Sequence, residues 1–518
     1  MPRGDLCACT TARGGALSVE LDAPGALDTV TPAAEPGRPA TVPEHSTLTD
    51  PASAVAPTRD DPFLQALSRG VGGVAGRRVR AGSGFWTVQR VLLAFLCGAF
   101  VLALLQKAPC HASAWPRGDV ASWFCYSDVA HLYRERGLVD GNIPYFDTGA
   151  YPVLEYPVLI GFVMWITAAV ARTAGSIDGG AVRFFDLTAL LMITSAVVTV
   201  IVLVRLLGRR PWDAAMFALA PVLVLSGLIN WDLLAVALTT GALLAWSRRR
   251  PVLAGVLIGL GMATKLYPLF LLGPLFVLCL RTGRTRELAR VVGATVVSWA
   301  LVNAPVFLGA RDGWTEFWRF NDQRGGELGS VFYLLQLAGY PFPSSLLDAT
   351  IFGLFAAACV GVAWLGLTAP RRPRVAQLAF LVVAAFLLVN KVYSPQYALW
   401  LLPLAVLARP RWRDFLIWQA TEVIYWLAIW LHLSGFLADG TAVRFYYAAI
   451  VGHVAGILWV ALMIVRDVLQ PEHDPVRQTG DDDPVFPWAD DPPARSGTGP
   501  PRANRSGTGS PRADRELA

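Results

Sequence analysis

One acidic side chain stands where it could do chemistry, in a loop that follows the first apolar segment. Asp128 lies in the stretch CYSDVAHLYRERG (residues 125–137) and opens a predicted short helix. Partial desolvation beside a membrane can tune such a carboxylate to act as a general base. The competing interpretation is that Ser127 or Asp128 only caps the helix. The sequence therefore offers Asp128 as the first candidate for proton transfer.

The chain contains only three lysines, Lys107, Lys265 and Lys391, whereas arginine is used almost everywhere else. Lys265 ends one apolar segment in ATKLYP, and Lys391 occupies a similar junction in NKVYSPQY. Ammonium groups at such junctions can protrude into a vestibule and neutralise a departing phosphate. Alternatively they snorkel at the membrane interface, an interpretation that is favoured for Lys107.

Three further carboxylates are candidate site residues, and each has a second possible role. Glu155 is a second possible catalytic carboxylate or an interfacial anchor, and Asp232 binds sugar hydroxyls or caps the next helix. Glu422 lies within an apolar segment, where an unpaired charge costs roughly 2.5–3.5 kcal/mol, so it should face the bundle interior. At that position Glu422 either lines the substrate cavity or makes a structural hydrogen bond to a neighbouring helix. Four aromatic residues could stack on a sugar, although a belt at the membrane interface is the favoured interpretation. They are Trp314, Phe317, Trp318 and Phe320.

These residues must be positioned by membrane helices. Hydrophobic residues make up 54% of the 518 positions and charged residues 16%, which would leave a soluble fold with too much apolar surface. The sequence predicts an all-α polytopic bundle of about 12 spans. The spans lie near 86–106, 184–207, 213–229, 232–246, 251–264, 267–281, 290–309, 346–367, 375–391, 397–408, 414–433 and 444–467.

The distribution of arginine predicts the orientation of the bundle. Six arginine clusters can all be cytoplasmic if residues 156–172 form a re-entrant or interfacial helix. Both termini are then cytoplasmic, and the candidate site is extracytoplasmic in a plasma membrane. The clusters are Arg77–Arg80, Arg209–Arg210, Arg248–Arg250, Arg281–Arg290, Arg371–Arg374 and Arg409–Arg413.

Composition also divides the chain into a membrane domain and two tails. Residues 1–80 and 469–518 lack apolar periodicity and are expected to be disordered and cytoplasmic. The domain between them, residues 81–468, has two external loops, at 107–155 and 309–345. Cys110 and Cys125 share the first loop, where they either form a disulfide or remain free thiols.

At several places the chain resembles the GT-C superfamily of membrane glycosyltransferases, from about residue 86 to 468. It resembles especially the actinobacterial polyprenol-phosphate-mannose-dependent enzymes, of glycosyltransferase family 87 type, and the catalytic subunit of GPI mannosyltransferase I. The order of several degenerate motifs carries this resemblance. They are Ser127-Asp128, Pro144-Tyr145, Glu155-Tyr156-Pro157, VRFFDL at 182–187, GLGMATKLYP at 259–268 and YSPQY at 393–397.

The resemblance implies roles for particular residues. Asp128 would be the base or a sugar ligand, and Lys265 the lysine that precedes Tyr-Pro. Many relatives have Tyr-Pro-Pro at residues 156–158 and often a histidine near 396–397, whereas this chain has Tyr-Pro-Val and Gln396-Tyr397. The substrate-binding candidates are Glu155, Tyr156, Asp232, Tyr393, Gln396, Tyr397 and Glu422.

The expected reaction follows from where the site lies. Nucleotide sugars are absent outside the cell, so a polyprenyl-phosphate sugar would deliver the hexose, with mannose implied, to a lipid-linked or glycan acceptor of the cell envelope. Asp128 would deprotonate the acceptor, with inversion, while Lys265 and Lys391 stabilise the phosphate. No cofactor, metal or nucleic acid is expected. The rival functions are a transporter or flippase, which the lack of a clear internal repeat disfavours, and a noncatalytic scaffold.

Overall fold

The computed structural model describes residues 61–71, 85–115 and 120–488, and every regular element among them is a helix. The helices before the midpoint are α1 Pro62–Val71, α2 Val88–Ala112, α3 Asp128–Glu135, α4 Val158–Ala171, α5 Ile177–Leu207, α6 Ala215–Ala218, α7 Pro221–Ser226, α8 Asp232–Ser247 and α9 Pro251–Met262. Those that follow are α10 Leu272–Arg281, α11 Thr285–Gly309, α12 Arg311–Gln323, α13 Val331–Leu337, α14 Ser344–Thr368, α15 Val375–Val389, α16 Ala398–Ala408, α17 Trp412–Leu433, α18 Val443–Leu469 and α19 Pro475–Gln478. The all-α prediction is therefore confirmed for this part of the chain.

Six of these helices are long and apolar enough to cross a membrane: α2, α5, α11, α14, α17 and α18. The longest, α5, has 31 residues and extends about 46 Å at the helical rise of about 1.5 Å per residue. It begins seven residues before the predicted span, and α2 continues six residues beyond its prediction. The chain is thus a multi-pass membrane protein whose long helices agree with the predicted segments.

The remaining apolar helices are shorter than a bilayer crossing, and two of them, α15 and α16, are packed inside the bundle. Every residue of α16 is buried, and so are most residues of α15. Because neighbouring helices surround them, their ends need not face lipid. The span predicted at 213–229 is not one helix, since a 3-10 turn at Pro211–Ala214 precedes α6, and Pro221 begins the separate α7.

Five of the six arginine clusters lie together at one end of the bundle, named here the basic end. Arg210 lies near Asp481, Arg372 near Asp482, and Arg249 donates to the carbonyl oxygen of Pro487. The cluster at Arg281 reaches the carbonyl oxygens of Gly366 and Ala369, just before Arg371. Arg77–Arg80 lie outside the described residues.

Ordered packing at the basic end continues past residue 468, so the predicted start of the C-terminal tail is wrong. Asp474 accepts two hydrogen bonds of 2.9 Å from Arg374, and both side chains are fully buried. Phe486 and Trp488 pack their rings against Trp246. This stretch is rich in proline and aspartate and contains few apolar residues, so its composition did not predict the packing. The tail from residue 489 onward lies outside the described residues.

The short helix α1 lies within the N-terminal segment that was expected to be disordered. Asp61 caps it through the backbone N–H groups of Phe63 and Leu64. The same carboxylate accepts a hydrogen bond from the backbone N–H of Trp412, at 3.2 Å. Residues 1–60 and 72–84 lie outside the described part of the chain.

Both ends of α4 contact loop residues at the end of the bundle opposite the arginines. The backbone N–H of Leu159 donates to the carbonyl oxygen of Ala263, and Arg172 donates to that of Leu138. With 14 residues, α4 is about 21 Å long, which is short for a crossing. These contacts agree with the prediction that residues 156–172 enter and leave on one side.

Candidate functional site

Asp128 is held at the start of α3 by hydrogen bonds to a turn that lies a hundred residues away in sequence. The hydroxyl of Ser127 donates to the carbonyl oxygen of Leu228, at 2.9 Å, and caps α3 by accepting from the N–H of Val129. The backbone N–H of Asp128 donates to the carbonyl oxygen of Ile229, at 2.9 Å. Because Ser127 is the N-cap, the side chain of Asp128 is left available for other contacts.

The carboxylate of Asp128 accepts two short hydrogen bonds and is only half-buried. The hydroxyl of Tyr126 donates to Oδ1 and the amide of Asn230 to Oδ2, each at 2.6 Å. The negative charge of Asp128, followed by burial, raises the pKa of Tyr126, so the phenol stays protonated and donates. Two donors orient the carboxylate while one side of it remains accessible.

The loop that carries Asp128 is tied covalently to the end of α2. Cys110 and Cys125 form a disulfide, with Cα atoms 5.8 Å apart, so the alternative of two free thiols is wrong. The indole N–H of Trp115 donates to the carbonyl oxygen of Cys125 at 3.2 Å. Lys107, which was expected to snorkel, is instead 1% exposed and donates to the carbonyl oxygen of Tyr126.

Tyr156 connects Asp128 with Lys265. The amide of Asn230 contacts the Tyr156 hydroxyl at 2.7 Å as well as the carboxylate of Asp128. The ammonium nitrogen of Lys265 lies 4.9 Å from the centre of the Tyr156 ring, within cation–π range. Burial, followed by the charge of Asp128, raises the pKa of Tyr156, so this phenol is neutral at physiological pH. Asp128, Tyr156 and Lys265 therefore form one connected group of partly exposed side chains, and the space they face is called the pocket below.

Asp232 has neither of its predicted roles. It is the first residue of α8, makes no side-chain cap, and has no exposed surface through which a sugar could reach it. Its Oδ2 lies 3.7 Å from the ammonium nitrogen of Lys265, and its Oδ1 accepts from the indole of Trp400 at 2.7 Å. Asp232 is thus the buried counter-ion that fixes Lys265, which itself remains 12% exposed.

An aromatic column forms the wall of the pocket beside Asp232. Trp400 stacks between Tyr267 and Tyr397, with ring centres 4.6 Å and 4.4 Å away. Tyr397 is partly exposed, whereas Gln396 is buried. Of the two residues that stand where relatives often have histidine, only Tyr397 is placed to meet a substrate.

The sequence did not single out Arg324, a second cation near the pocket. Its guanidinium group pairs with Glu327 and lies 5.1 Å from the ring centre of Phe320. Burial opposes its charge, but Glu327, with Tyr397 and Tyr156, more than compensates and raises the pKa of Arg324. These interactions place the charge near the pocket. Arg324 follows α12 in the second external loop, where no motif marked it.

Lys391 is directed away from the pocket, contrary to the prediction. Its ammonium nitrogen lies 2.5 Å from Oδ1 of Asp348 on α14 and 3.2 Å from the carbonyl oxygen of Asp322 on α12. Its own carbonyl oxygen accepts from the backbone N–H of Glu327. Lys391 therefore anchors α12, α14 and the loop of Arg324. The prediction was wrong because a position at a helix junction does not determine the direction in which the side chain points.

Glu155 is occupied by an ion pair. Its two oxygens accept from the Nε and a terminal nitrogen of Arg136, both at 2.8 Å. Burial opposes the charge of Arg136, but Glu155 outweighs it and raises the pKa of Arg136. The geometry corresponds to an anchor of the first external loop, one of the two roles left open.

Glu422 and Tyr393 form a buried structural pair. The hydroxyl of Tyr393 donates to Glu422 at 2.9 Å, and the indole of Trp418 donates to it at 3.0 Å. Glu422 is 2% exposed and Tyr393 1%, so neither can contact a substrate in this arrangement. Of the two interpretations of Glu422, the structural hydrogen bond is the one observed.

An aromatic cleft opens beside Tyr156. Three of the four aromatics considered for sugar stacking line it, and the fourth, Phe320, lies over Arg324. Trp314 is held by a 3.0 Å hydrogen bond from its indole to Asn303. Tyr145, Leu266 and Trp299 also line the cleft.

Across residues 61–71, 85–115 and 120–488, no three His, Cys, Asp or Glu side chains are grouped as metal ligands would be. Metal independence of the reaction stays a prediction.

Comparison with known proteins finds one family model that matches part of the chain. No curated protein matches the sequence. Among solved structures, the chain is similar to the crystal structure of ArnT from Cupriavidus metallidurans bound to undecaprenyl phosphate, with 15% identity and a TM-score of 0.40 over 74% of this chain and 78% of that one. Residues 152–390 match the model of glycosyltransferase family 87. The resemblance to glycosyltransferase family 87 seen in the sequence is thereby confirmed over residues 152–390.

Proposed function

We propose that this chain transfers a sugar from a polyprenyl-phosphate donor to a hydroxyl group of an envelope glycan or glycolipid. The observation that carries the proposal is the pocket in which Asn230 and Tyr156 connect the carboxylate of Asp128 with the ammonium group of Lys265. The family match over residues 152–390 supports transferase chemistry. Mannose is the expected sugar, because the motifs resemble those of mannose-dependent enzymes.

The surroundings of the pocket suit a lipid-linked donor. The aromatic cleft beside Tyr156 can accept the isoprenoid chain next to the phosphate, because apolar rings favour contact with such a chain over water. Lys265 then meets the phosphate, and Arg324 approaches from the second external loop. The pocket lies opposite the basic end, so the tendency of arginine to stay cytoplasmic favours an extracytoplasmic site.

The proposed step balances without a further reactant. The acceptor oxygen forms a bond to the anomeric carbon, and the bond from that carbon to the phosphate oxygen breaks with inversion. The hydroxyl proton passes to Asp128, while the electron pair leaves with the polyprenyl phosphate. The leaving phosphate gains negative charge, which Lys265 stabilises more strongly in the transition state than in the ground state.

Purified full-length protein in liposomes tests this function directly. The vesicles would contain labelled polyprenyl-phosphate mannose, glucose or arabinose, together with extracted envelope lipids as acceptors. We expect labelled product from one donor, with the opposite anomeric configuration. Transfer from a nucleotide sugar alone would contradict the proposed donor. Transbilayer movement of the donor lipid without any transfer would instead support the transporter alternative.

A further inference from the structure

Three polar side chains lie in a row along the exposed face of α3. Asp128, His131 and Glu135 follow one another at intervals of three and four residues, so the helical repeat places them on one side of the helix. His131 is exposed and the other two are partly exposed, whereas most of the opposite side of α3 is buried. At a rise of about 1.5 Å per residue, the row extends about 10 Å along the helix. An exposed polar surface therefore begins at the candidate base.

The two outer members of the row form a pair that keeps polar atoms available. Nε2 of His131 lies 3.0 Å from Oε2 of Glu135, and the two side chains are 49% and 39% exposed. An ion pair that is so exposed adds little to stability. Among the described residues, neither Nδ1 of His131 nor Oε1 of Glu135 has a hydrogen-bond partner. The pair can therefore offer hydrogen bonds to the hydroxyl groups of a ligand that also reaches Asp128.

Tyr126 connects this pair with the carboxylate of Asp128. Its phenol donates to Oδ1 of Asp128 at 2.6 Å, and its ring centre lies 6.5 Å from that of His131. The same ring packs against Trp430, with ring centres 5.2 Å apart, and remains partly exposed. A supported aromatic ring beside polar atoms provides an apolar surface for the C–H groups of a sugar and partners for its hydroxyls.

The two oxygens of Asp128 face different parts of the site. The amide of Asn230 donates to Oδ2, on the side that leads through Tyr156 to Lys265. The phenol of Tyr126 donates to Oδ1, on the side that leads to the row on α3. In a displacement with inversion, the acceptor oxygen and the leaving oxygen lie on opposite sides of the anomeric carbon. Because Lys265 would meet the leaving phosphate, the acceptor has to approach from the side of Tyr126.

We propose that His131 and Glu135, together with the ring of Tyr126, form the subsite that binds a glycan acceptor. The accepting sugar lies at Asp128 and the next sugar along the chain lies at the His131–Glu135 pair. This subsite rests on the proposed function, in which Asp128 removes a proton from the acceptor hydroxyl.

The chemistry of the row defines the class of acceptor. Asp128 and Glu135 both carry negative charge, which disfavours an anionic ligand, whereas hydroxyl groups can bind to the free atoms of the pair. The length of the row provides contacts for more than the one sugar that reacts. The acceptor is therefore a neutral oligosaccharide of at least two sugars. A lipid that offers a single headgroup hydroxyl would leave the pair unused.

Acceptor kinetics of His131→Ala and Glu135→Gln test this subsite. The donor is the polyprenyl-phosphate sugar that the wild type uses, and the acceptors are methyl glycosides of mannose, glucose, galactose and arabinose, each as a mono- and a disaccharide. We expect the wild type to use one disaccharide about tenfold better than its monosaccharide, by kcat/KM. Each variant should lose most of this preference through a higher acceptor KM, with donor KM within about twofold.

A second exposed histidine–carboxylate pair provides the matched control. Nε2 of His111 lies 2.9 Å from Oδ1 of Asp186, away from the row on α3. His111→Ala should keep the wild-type preference for the disaccharide. A wild-type acceptor KM in both folded variants, or wild-type transfer only to lipids that lack a glycan, would overturn the subsite.

Binding without turnover separates the subsite from the proposed function. Saturation-transfer NMR on the full-length protein in nanodiscs, without donor lipid, detects contacts to the same methyl disaccharides. We expect these contacts in the wild type and His111→Ala, and their loss in His131→Ala and Glu135→Gln. Binding that depends on His131 in a protein that transfers no sugar would support the subsite while contradicting the function. Sugar transfer whose acceptor KM and glycan contacts are independent of His131 would do the reverse.

Discussion

The ammonium nitrogen of Lys265 lies 3.7 Å from Oδ2 of Asp232, a carboxylate without any exposed surface. The lysine itself keeps 12% of its side chain exposed toward the pocket. A buried anion behind a partly exposed cation fixes the direction of the cation and leaves one side free for a ligand. Sequence motifs marked both residues, but only the structure shows that they act as a pair.

Replacing Lys265 by methionine should reduce both stability and transfer. The change leaves Asp232 buried without its cation, a loss of roughly 3 kcal/mol in the free energy of unfolding. Adding Asp232→Asn should restore most of the stability, because the amide can still accept from Trp400, but not the transfer. Denaturation in detergent and transfer assays measure the two effects. A double variant as active as wild type would show that Lys265 has no role beyond its ion pair.

Glu155→Gln should leave transfer within about threefold of wild type, because both oxygens of Glu155 are bound by Arg136 in an ion pair that anchors the loop. The lost charge should cost about 1–2 kcal/mol of stability, since a half-buried hydrogen bond to a charged group is weakened. Transfer rate and melting temperature are the measurements. A hundredfold loss of rate with an unchanged KM would instead assign Glu155 to the chemistry.

Removal of the Cys110–Cys125 disulfide should impair the loop that carries Asp128. The two cysteines are 15 residues apart, and closing a loop of that size stabilises a fold by about 3 kcal/mol in the chain-entropy model. Cys110→Ser together with Cys125→Ser should lower the melting temperature and the transfer rate. Cys97→Ser, at an exposed free thiol on the same helix, is the control. If the protein with both Cys110→Ser and Cys125→Ser melted at the same temperature as the Cys97→Ser control, this account of the loop would be contradicted.

The packed segment after α18 should be required for stability at the basic end. Truncation after residue 488 should leave the melting temperature unchanged, whereas Asp474→Asn should cost about 3–5 kcal/mol by leaving Arg374 buried and unpaired. A folded Asp474→Asn protein with the wild-type melting temperature would contradict this packing.

The same carboxylate gives a pH dependence with a defined sign. Burial opposes ionisation of Asp474, but Arg374 more than compensates and holds its pKa below the ordinary value of 3.8. The stabilisation is therefore complete above pH 3.8 and is lost as the pH falls through the lowered pKa. The wild type should lose more stability than Asp474→Asn over that acidic range. Equal acid sensitivity in denaturation experiments would contradict the ion pair.

Membrane helices were predictable because hydrophobic length is a strong signal in a bilayer. All six long helices fall on predicted spans, and the arginine clusters among the described residues share one end, as expected. The prediction of one span at 213–229 was wrong because the composition is apolar throughout, whereas Pro221 and the 3-10 turn before α6 divide the backbone into separate short helices. The predicted start of the C-terminal tail was wrong because the stretch after α18 is mostly polar in composition. Three apolar residues nevertheless bury their side chains against the bundle: Val485, Phe486 and Trp488.

The site was predictable only in part, since a motif gives the residue and its element but not its partners. Asp128, Tyr156 and Lys265 meet because their junctions lie at the same end of neighbouring helices. Lys391 lies at a similar junction yet turns toward Asp348, a pairing that no local pattern encodes. The sequence did not single out Asn230, which connects the carboxylate and the phenol. Its role depends on a contact across 102 residues of sequence.

The transfer rate of Asp128→Asn, compared with Asp178→Asn, tests the central claim most directly. Both changes remove one carboxylate charge near the first external loop, but Asp178 is 78% exposed on its side chain and pairs with Arg134 at the surface. With saturating labelled donor and acceptor, we predict that Asp128→Asn lowers kcat by about 10²–10⁴-fold, while Asp178→Asn stays near wild type. A folded Asp128→Asn protein that transfers sugar at the wild-type rate would contradict the account.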